Sequence, residues 1–324
     1  MNIRPNSGSR ALRRLLPLLL ALLLGGSEGC GRRTSHPVVP LEWAAMESVN
    51  RDLPPGVRVY AGTNSDLPLK AWYVKVERGD PRLSTQVVLS TDEDLKEPVA
   101  SFAERLNALV VVNGGYFLMQ REVARHVGLL HMRGMTIEPA TTSVRRDTLS
   151  YPVARATLGF FPDGSLDVAW VTSRGDSLFE WTEPFPNREG APVSRSEQAG
   201  ARYWPALDAV AAGPALIADG EIHIPVQEEV FFGSSIPEVH PRTAVGYTAE
   251  GDLILLVVDG RQAVSRGVDL SELAIMMRDL GCLEAMNMDG GGSSTLVVSG
   301  VLINRPAGGT FQREVMSAIA VRYR

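Results

Sequence analysis

Asp259 and Asp289 each close an apolar run and open a glycine turn. Asp259-Gly260 follows Leu253 to Val258, and Asp289-Gly290-Gly291-Gly292-Ser293-Ser294 follows Cys282 to Met288. Two carboxylates delivered to one place could share acid–base work. With Asn287 they could instead hold a hard cation, Mg2+ or Ca2+, through oxygen ligands. The triple glycine adds a second capacity. Residues without side chains after a buried strand waste chain entropy unless backbone must pass close to something, and the N–H groups from Gly290 to Ser293 could bind an anion. Three more polar islands lie elsewhere: Asn113-Gly114-Gly115-Tyr116-Phe117, His240-Pro241-Arg242-Thr243-Ala244 and Asn304-Arg305-Pro306. Singly, Asp-Gly and Asn-Gly are most often plain turns. No GxGxxG or Walker-type lysine accompanies the glycines, which argues against a nucleotide. No Cys/His spacing suits zinc. His126, His131 and His223 are isolated and read as structural, whereas His240, beside Arg242, is worth testing.

These residues need elements to position them. Asp269 is a good N-cap with Glu272 completing a capping box, and Leu270, Leu273, Ala274, Met277 and Leu280 recur at helical spacing until Gly281 stops them. Strand, helix and strand in this length form a crossover unit, so the runs ending at Asp259 and Asp289 should lie parallel in one sheet, with both carboxylates on one edge. Upstream, Trp72 to Glu77 alternates as a half-buried strand, Val99 to Leu106 reads as a short helix, and Ala108 to Val112 is a buried strand leading to Asn113. Hairpins are expected at Asp163-Gly164, Asp219-Gly220, Glu250-Gly251 and Ser299-Gly300. The expected fold class is α+β: a mixed sheet with several antiparallel hairpins and a C-terminal strand-helix-strand crossover.

The chain has 324 residues, 44% hydrophobic and 21% charged, with a formal net charge of −5. That is globular, and its mild acidity gives nucleic acid no basic surface to bind. The N-terminus differs: Arg4, Arg10, Arg13 and Arg14 precede the apolar stretch Leu15 to Leu24, the layout of a secretory signal, and Gly29-Cys30 resembles a bacterial lipoprotein cleavage site. Residues 1–30 are therefore expected to be a signal segment with Cys30 as the lipidation candidate. Residues 31–56, with four prolines, would form a spacer and 57–324 one domain. Membrane contact is expected only through that lipid. Cys282 opens an apolar strand and reads as a small core residue, so no structural disulfide is expected.

In order, NGGYF from Asn113, HPRTAVG from His240, VVDGRQ from Val257, GVDLSELA from Gly267, NMDGGGSST from Asn287 and NRP from Asn304 resemble the phosphodiester glycosidase family. The likeness runs from about Leu109 to Arg324, while Leu118 to Gly200 matches no motif. It implies an enzyme that cleaves the bond between a sugar's anomeric carbon and a phosphate, and a glycan phosphodiester as partner, in bacteria exopolysaccharide or other cell-envelope material. Such a substrate is an anion, so Arg242 is the first candidate for its phosphate and Arg261 or Arg305 the second. Asp259 and Asp289 would act as acid and as base or nucleophile, in either order. Asn113 and Asn287 would bind sugar hydroxyls. Gly114, Gly290, Gly291, Ser293 and Asn304 complete the expected substrate-binding set, with Tyr116 or Phe117 against the sugar face or in the core. Two other readings use the same residues: a non-catalytic phosphoglycan-binding envelope protein, and a metal-dependent phosphodiesterase that breaks P–O bonds. Either way the protein is expected to be exported, lipid-anchored in a bacterial envelope or secreted.

Overall fold

The computed structural model describes residues 40–64, 66–194, 200–305, 307, 309 and 311–324. Cys30, the whole expected signal segment and the start of the spacer lie outside them. Residues 42–56, expected to continue the spacer, already belong to the domain: Glu42–Ala45 pairs with Val57–Thr63, and the short helix Glu47–Asn50 lies between them. Among the described residues no helix is long and apolar enough to cross a membrane.

Three larger sheets carry the architecture, with eight, seven and five strands. The α+β expectation is overturned. Among the described residues there are three α-helices, of 4, 8 and 10 residues, and the strand pairings are antiparallel throughout. The molecule is mostly β. The reason lies in one strand. Arg242–Thr248 inserts between Leu253–Val258 and Cys282–Asn287 and pairs antiparallel with both, so the two crossover strands run parallel without sharing a ladder. The motif-poor middle of the chain adds more antiparallel structure: Arg155–Phe160, Leu166–Arg174, Ser177–Trp181 and Asp208–Ala211 build the centre of the seven-stranded sheet.

The local signals hold where they rest on covalent geometry. Helix Val99–Leu106 occupies its expected span, and Leu270–Asp279 has Asp269 accepting from the Glu272 N–H with the reciprocal capping-box bond. Turns appear at Asp163-Gly164, Asp219-Gly220, Glu250-Gly251 and Ser299-Gly300.

One core joins inward-facing residues of all three sheets, including Val59, Val74, Val112, Leu158, Val210, Met286 and Ile319. The helix Leu270–Asp279 covers the outer face of the eight-stranded sheet through Leu273, Ala274 and Met277, and Val99–Leu106 covers the five-stranded one through Phe102 and Ala103. Leu253–Val258 is therefore buried on both faces, which is why it reads as an unbroken apolar run. Cys282 is free and buried, and burial pushes its thiol up to about 12.

Candidate active site

The loop between Asn287 and Leu296 is where the chain leaves one sheet and enters another. Cys282–Asn287 belongs to the eight-stranded sheet and Leu296–Val298 to the five-stranded one, so Asp289 stands at a joint between sheets. Asn113, the last residue of Val110–Asn113, fastens that joint. Its Nδ2 donates to the Asp289 carbonyl at 2.7 Å, and its Oδ1 accepts from the Thr243 hydroxyl at 2.7 Å and the Thr295 N–H at 3.1 Å. The Gly114 carbonyl accepts the Asp289 N–H at 3.2 Å. Asn113 is wholly buried and presents no free group to a ligand.

Asp289 itself stays partly exposed. Its carboxylate accepts from the Gly290 N–H at 2.9 Å and bonds the Ser293 hydroxyl, with the Arg313 guanidinium nearby. Burial outweighs those contacts and lifts its pKa from 3.8 to about 6. A carboxyl poised there can change charge near neutrality.

The triple glycine has a physical explanation beyond turning. A Cβ on Gly292 would lie 2.5 Å from Nη2 of Arg313, and one on Gly291, whose φ is +63°, would lie 3.4 Å from the Nη atoms of Arg261. Two guanidinium groups thus cross the loop backbone beside Asp289. Arg313 also reaches Ser293 Oγ at 3.5 Å. Nothing in the sequence singles Arg313 out, since it belongs to none of the motif islands. Its neighbour Gln312 anchors it by accepting the Ala100 N–H at 3.0 Å.

Arg261 is exposed and donates to His240 Nδ1 at 3.1 Å. A guanidinium can only donate, so His240 is neutral there and its Nε2–H donates to the Ser235 carbonyl at 2.8 Å. Burial, reinforced by Arg242 and Arg261, holds its pKa below the ordinary histidine value.

Arg242, the first candidate for an anion, is placed differently. It is 2% exposed and donates from Nε to the Val268 carbonyl at 3.0 Å and from Nη2 to the carbonyls of Ile236 and Glu238. It braces the segment that carries His240. Asp259 is equally enclosed. Its Oδ1 accepts from Asn304 Nδ2 at 2.9 Å and the Arg305 N–H at 3.1 Å, which also lies 3.2 Å from Oδ2. Asn304 in turn donates to the Ser294 carbonyl at 2.7 Å and accepts the Leu296 N–H at 2.8 Å. Asp259 therefore holds the far end of the glycine loop through Asn304, while the Arg305 side chain is exposed. The two Asp-Gly turns flank Pro241: a Cβ on Gly260 would meet its nitrogen at 2.6 Å, and its carbonyl accepts the Gly291 N–H at 2.9 Å.

Asn287 is buried, and its Nδ2 donates to Tyr116 OH at 2.8 Å and to the carbonyls of Gly213 and Met288, both at 2.9 Å. Tyr116 donates to the Gly213 carbonyl at 2.7 Å, and burial pushes its phenol far up. His126 packs its Nε2 against Gly115, where burial drives its pKa down to about 4, and His131 bonds Thr136.

A family model described as phosphodiester glycosidase matches residues 106–322. The chain belongs to the phosphodiester glycosidase family. Bovine N-acetylglucosamine-1-phosphodiester alpha-N-acetylglucosaminidase is 38% identical over 254 residues, 76% of this chain and 40% of that protein. The SPbeta prophage-derived uncharacterized protein YomE of Bacillus subtilis is 28% identical over 229 residues, 70% of this chain and 30% of that one. The chain thus spans less than half the length of these relatives. Its fold is similar to the zebrafish N-acetylglucosamine-1-phosphodiester alpha-N-acetylglucosaminidase catalytic domain, auto-inhibited by pro-peptide, with TM-score 0.59, 21% identity and 88% of each chain covered. A hypothetical protein from Synechocystis gives TM-score 0.58 at 16% identity, covering 88% of this chain and 68% of that one.

For this family member the geometry leaves one carboxyl available at the loop surface, Asp289, with two guanidinium groups beside it. Among the described residues no three His, Cys, Asp or Glu side chains converge to hold a cation. Asp259, the other metal candidate, commits its carboxylate to Asn304 and the Arg305 N–H.

Proposed function

We propose that the protein hydrolyses sugar 1-phosphodiesters at the anomeric C–O bond, with Asp289 as nucleophile or base and Arg261 and Arg313 on the phosphate. The single observation that carries this reading is the partly exposed Asp289 carboxyl, lifted to about 6 beside a glycine loop that two arginines cross. A phosphodiester anion suits a paired guanidinium clamp. A departing phosphate leaves as an anion and needs little help from an acid, so the demand falls on stabilising an oxocarbenium-like centre and on attack. Ionised Asp289 supplies that. Asp259 serves as a positioning residue that holds Asn304 and the loop end, and Asn113 and Asn287 hold the strand ends. N-acetylglucosamine linked α to phosphate, the bond named for the mammalian relatives, is the first substrate to test. Envelope or extracellular glycans are the proposed setting, reached by export, with Cys30 as the site of lipid attachment.

The test is a panel of sugar 1-phosphodiesters in 18O-labelled water. Label on the released sugar with phosphate unlabelled is expected. Label on phosphate would replace this mechanism with P–O cleavage, and undiminished turnover by Asp289→Asn would remove Asp289 from it.

A further inference from the structure

Arg155, the first residue of strand Arg155–Phe160, is a cation whose guanidinium donors find no hydrogen-bond partner among the described residues. Its guanidinium carbon lies 3.9 Å from the centre of the Phe231 ring, a stacking distance for a cation on an aromatic face. Its Nε is enclosed without a hydrogen-bond partner. Among the described residues neither Nη group makes a hydrogen bond or ion pair either. The buried Glu229 carboxylate attracts it through space but makes no hydrogen bond to it, since its oxygens accept from the N–H groups of Ala156 and Ala215 and from Trp170 Nε1, at 3.0, 2.9 and 3.0 Å. Arg146, also nearby, is a second cation, and it spends its donors on the carbonyls of Phe232 and Val230.

Arg155 is half-buried, and an enclosed guanidinium Nε without a partner is costly; a bound oxyanion would complete it. The position fits a ligand. Phe231 faces Tyr116 at 6.2 Å between ring centres, and Tyr116 feels both Asp289 and Arg155 electrostatically. Tyr116, bonded through its hydroxyl to Asn287 Nδ2 at 2.8 Å, therefore links the strand end that leads to Asp289 with the Phe231 ring that carries this cation. We infer that Arg155 is a specificity-determining residue that receives a second oxyanion of the substrate, a carboxylate or phosphate carried by the sugar. This rests on the proposed sugar 1-phosphodiester reading.

Calorimetric titration of the wild-type protein with glucose 1-phosphate, glucuronic acid 1-phosphate and glucose 1,6-bisphosphate tests it. The two doubly substituted ligands should bind roughly ten- to hundredfold more tightly than glucose 1-phosphate, the scale of one charge-assisted hydrogen-bond pair. Whichever of the two binds tighter identifies the oxyanion. Arg155→Met, which keeps an apolar stem over Phe231, should erase the difference, leave glucose 1-phosphate unaffected and leave the melting temperature equal or higher. Arg155→Lys should retain part of the preference. Equal binding of all three ligands by wild type overturns the inference while the phosphate site stands. So does an equal loss for all three, or a lowered melting temperature, in Arg155→Met, which marks a structural role. Binding of the bisphosphate without glucose 1-phosphate would instead sink the phosphate clamp and keep Arg155, and no binding of any ligand sinks both.

Discussion

Replacing Asp289 by asparagine separates the stability of the site from its chemistry. Burial lifts the carboxyl from 3.8 to about 6, so the native state holds its proton where the unfolded chain has released it. Stability contributed by the protonated form is complete below the unfolded pKa and is lost as pH rises through about 6. Ionised Asp289 therefore costs the fold up to about 3 kcal/mol above that pH, reduced to ~1–3 kcal/mol because the side chain keeps some exposure. Asparagine occupies the same volume, retains an oxygen for the Gly290 N–H and carries no charge. Urea denaturation of Asp289→Asn should show it more stable than wild type at pH 8 by that amount, with the gap closing as pH falls from 6 to 4. The same variant should lose turnover by a thousandfold or more, on the order of losing a nucleophile. Wild-type turnover should rise with pH through about 6 as the carboxylate forms. Parallel stability curves at all pH values would show that the carboxyl is not desolvated and would remove the reason for placing chemistry there.

Three further outcomes follow from the same geometry. Arg313→Met should raise KM for a phosphodiester by roughly ten- to hundredfold, one charge-assisted contact, with a smaller change in kcat measured by steady-state kinetics. Gly292→Ala should reproduce much of that defect with Arg313 intact, because the new Cβ would fall 2.5 Å from its guanidinium; wild-type KM in this variant would refute the crossing. Asp259→Ala should lower stability by about 1–3 kcal/mol in thermal or urea melts, since Asn304 Nδ2 and the Arg305 N–H lose a buried acceptor. Rescue of its activity by low temperature would distinguish positioning from direct chemistry.

Much of this protein is written in short-range signals. Asp269 and Glu272 cap their helix, the Asp-Gly and Ser-Gly pairs turn their hairpins, and the ordered islands from Asn113 to Asn304 mark the family, because each depends on a few covalently adjacent residues. The fold class was not legible. Apolar runs such as Leu253–Val258 say that a strand is buried, but its neighbour is chosen by a segment elsewhere in the chain, and Arg242–Thr248 filling the gap made the sheet antiparallel. The site divides the same way. Sequence brought Asp259, Asp289, Asn113, Arg242 and Asn304 to notice as types and spacings. Only tertiary packing decided that Asp259 and Arg242 turn inward onto amide and carbonyl partners, that Asp289 remains partly open with Arg313 near it, and that Arg155 lies over Phe231. Which polar groups are spent within the fold and which are left for a ligand is set by contacts between residues far apart in the chain, and no local pattern records them.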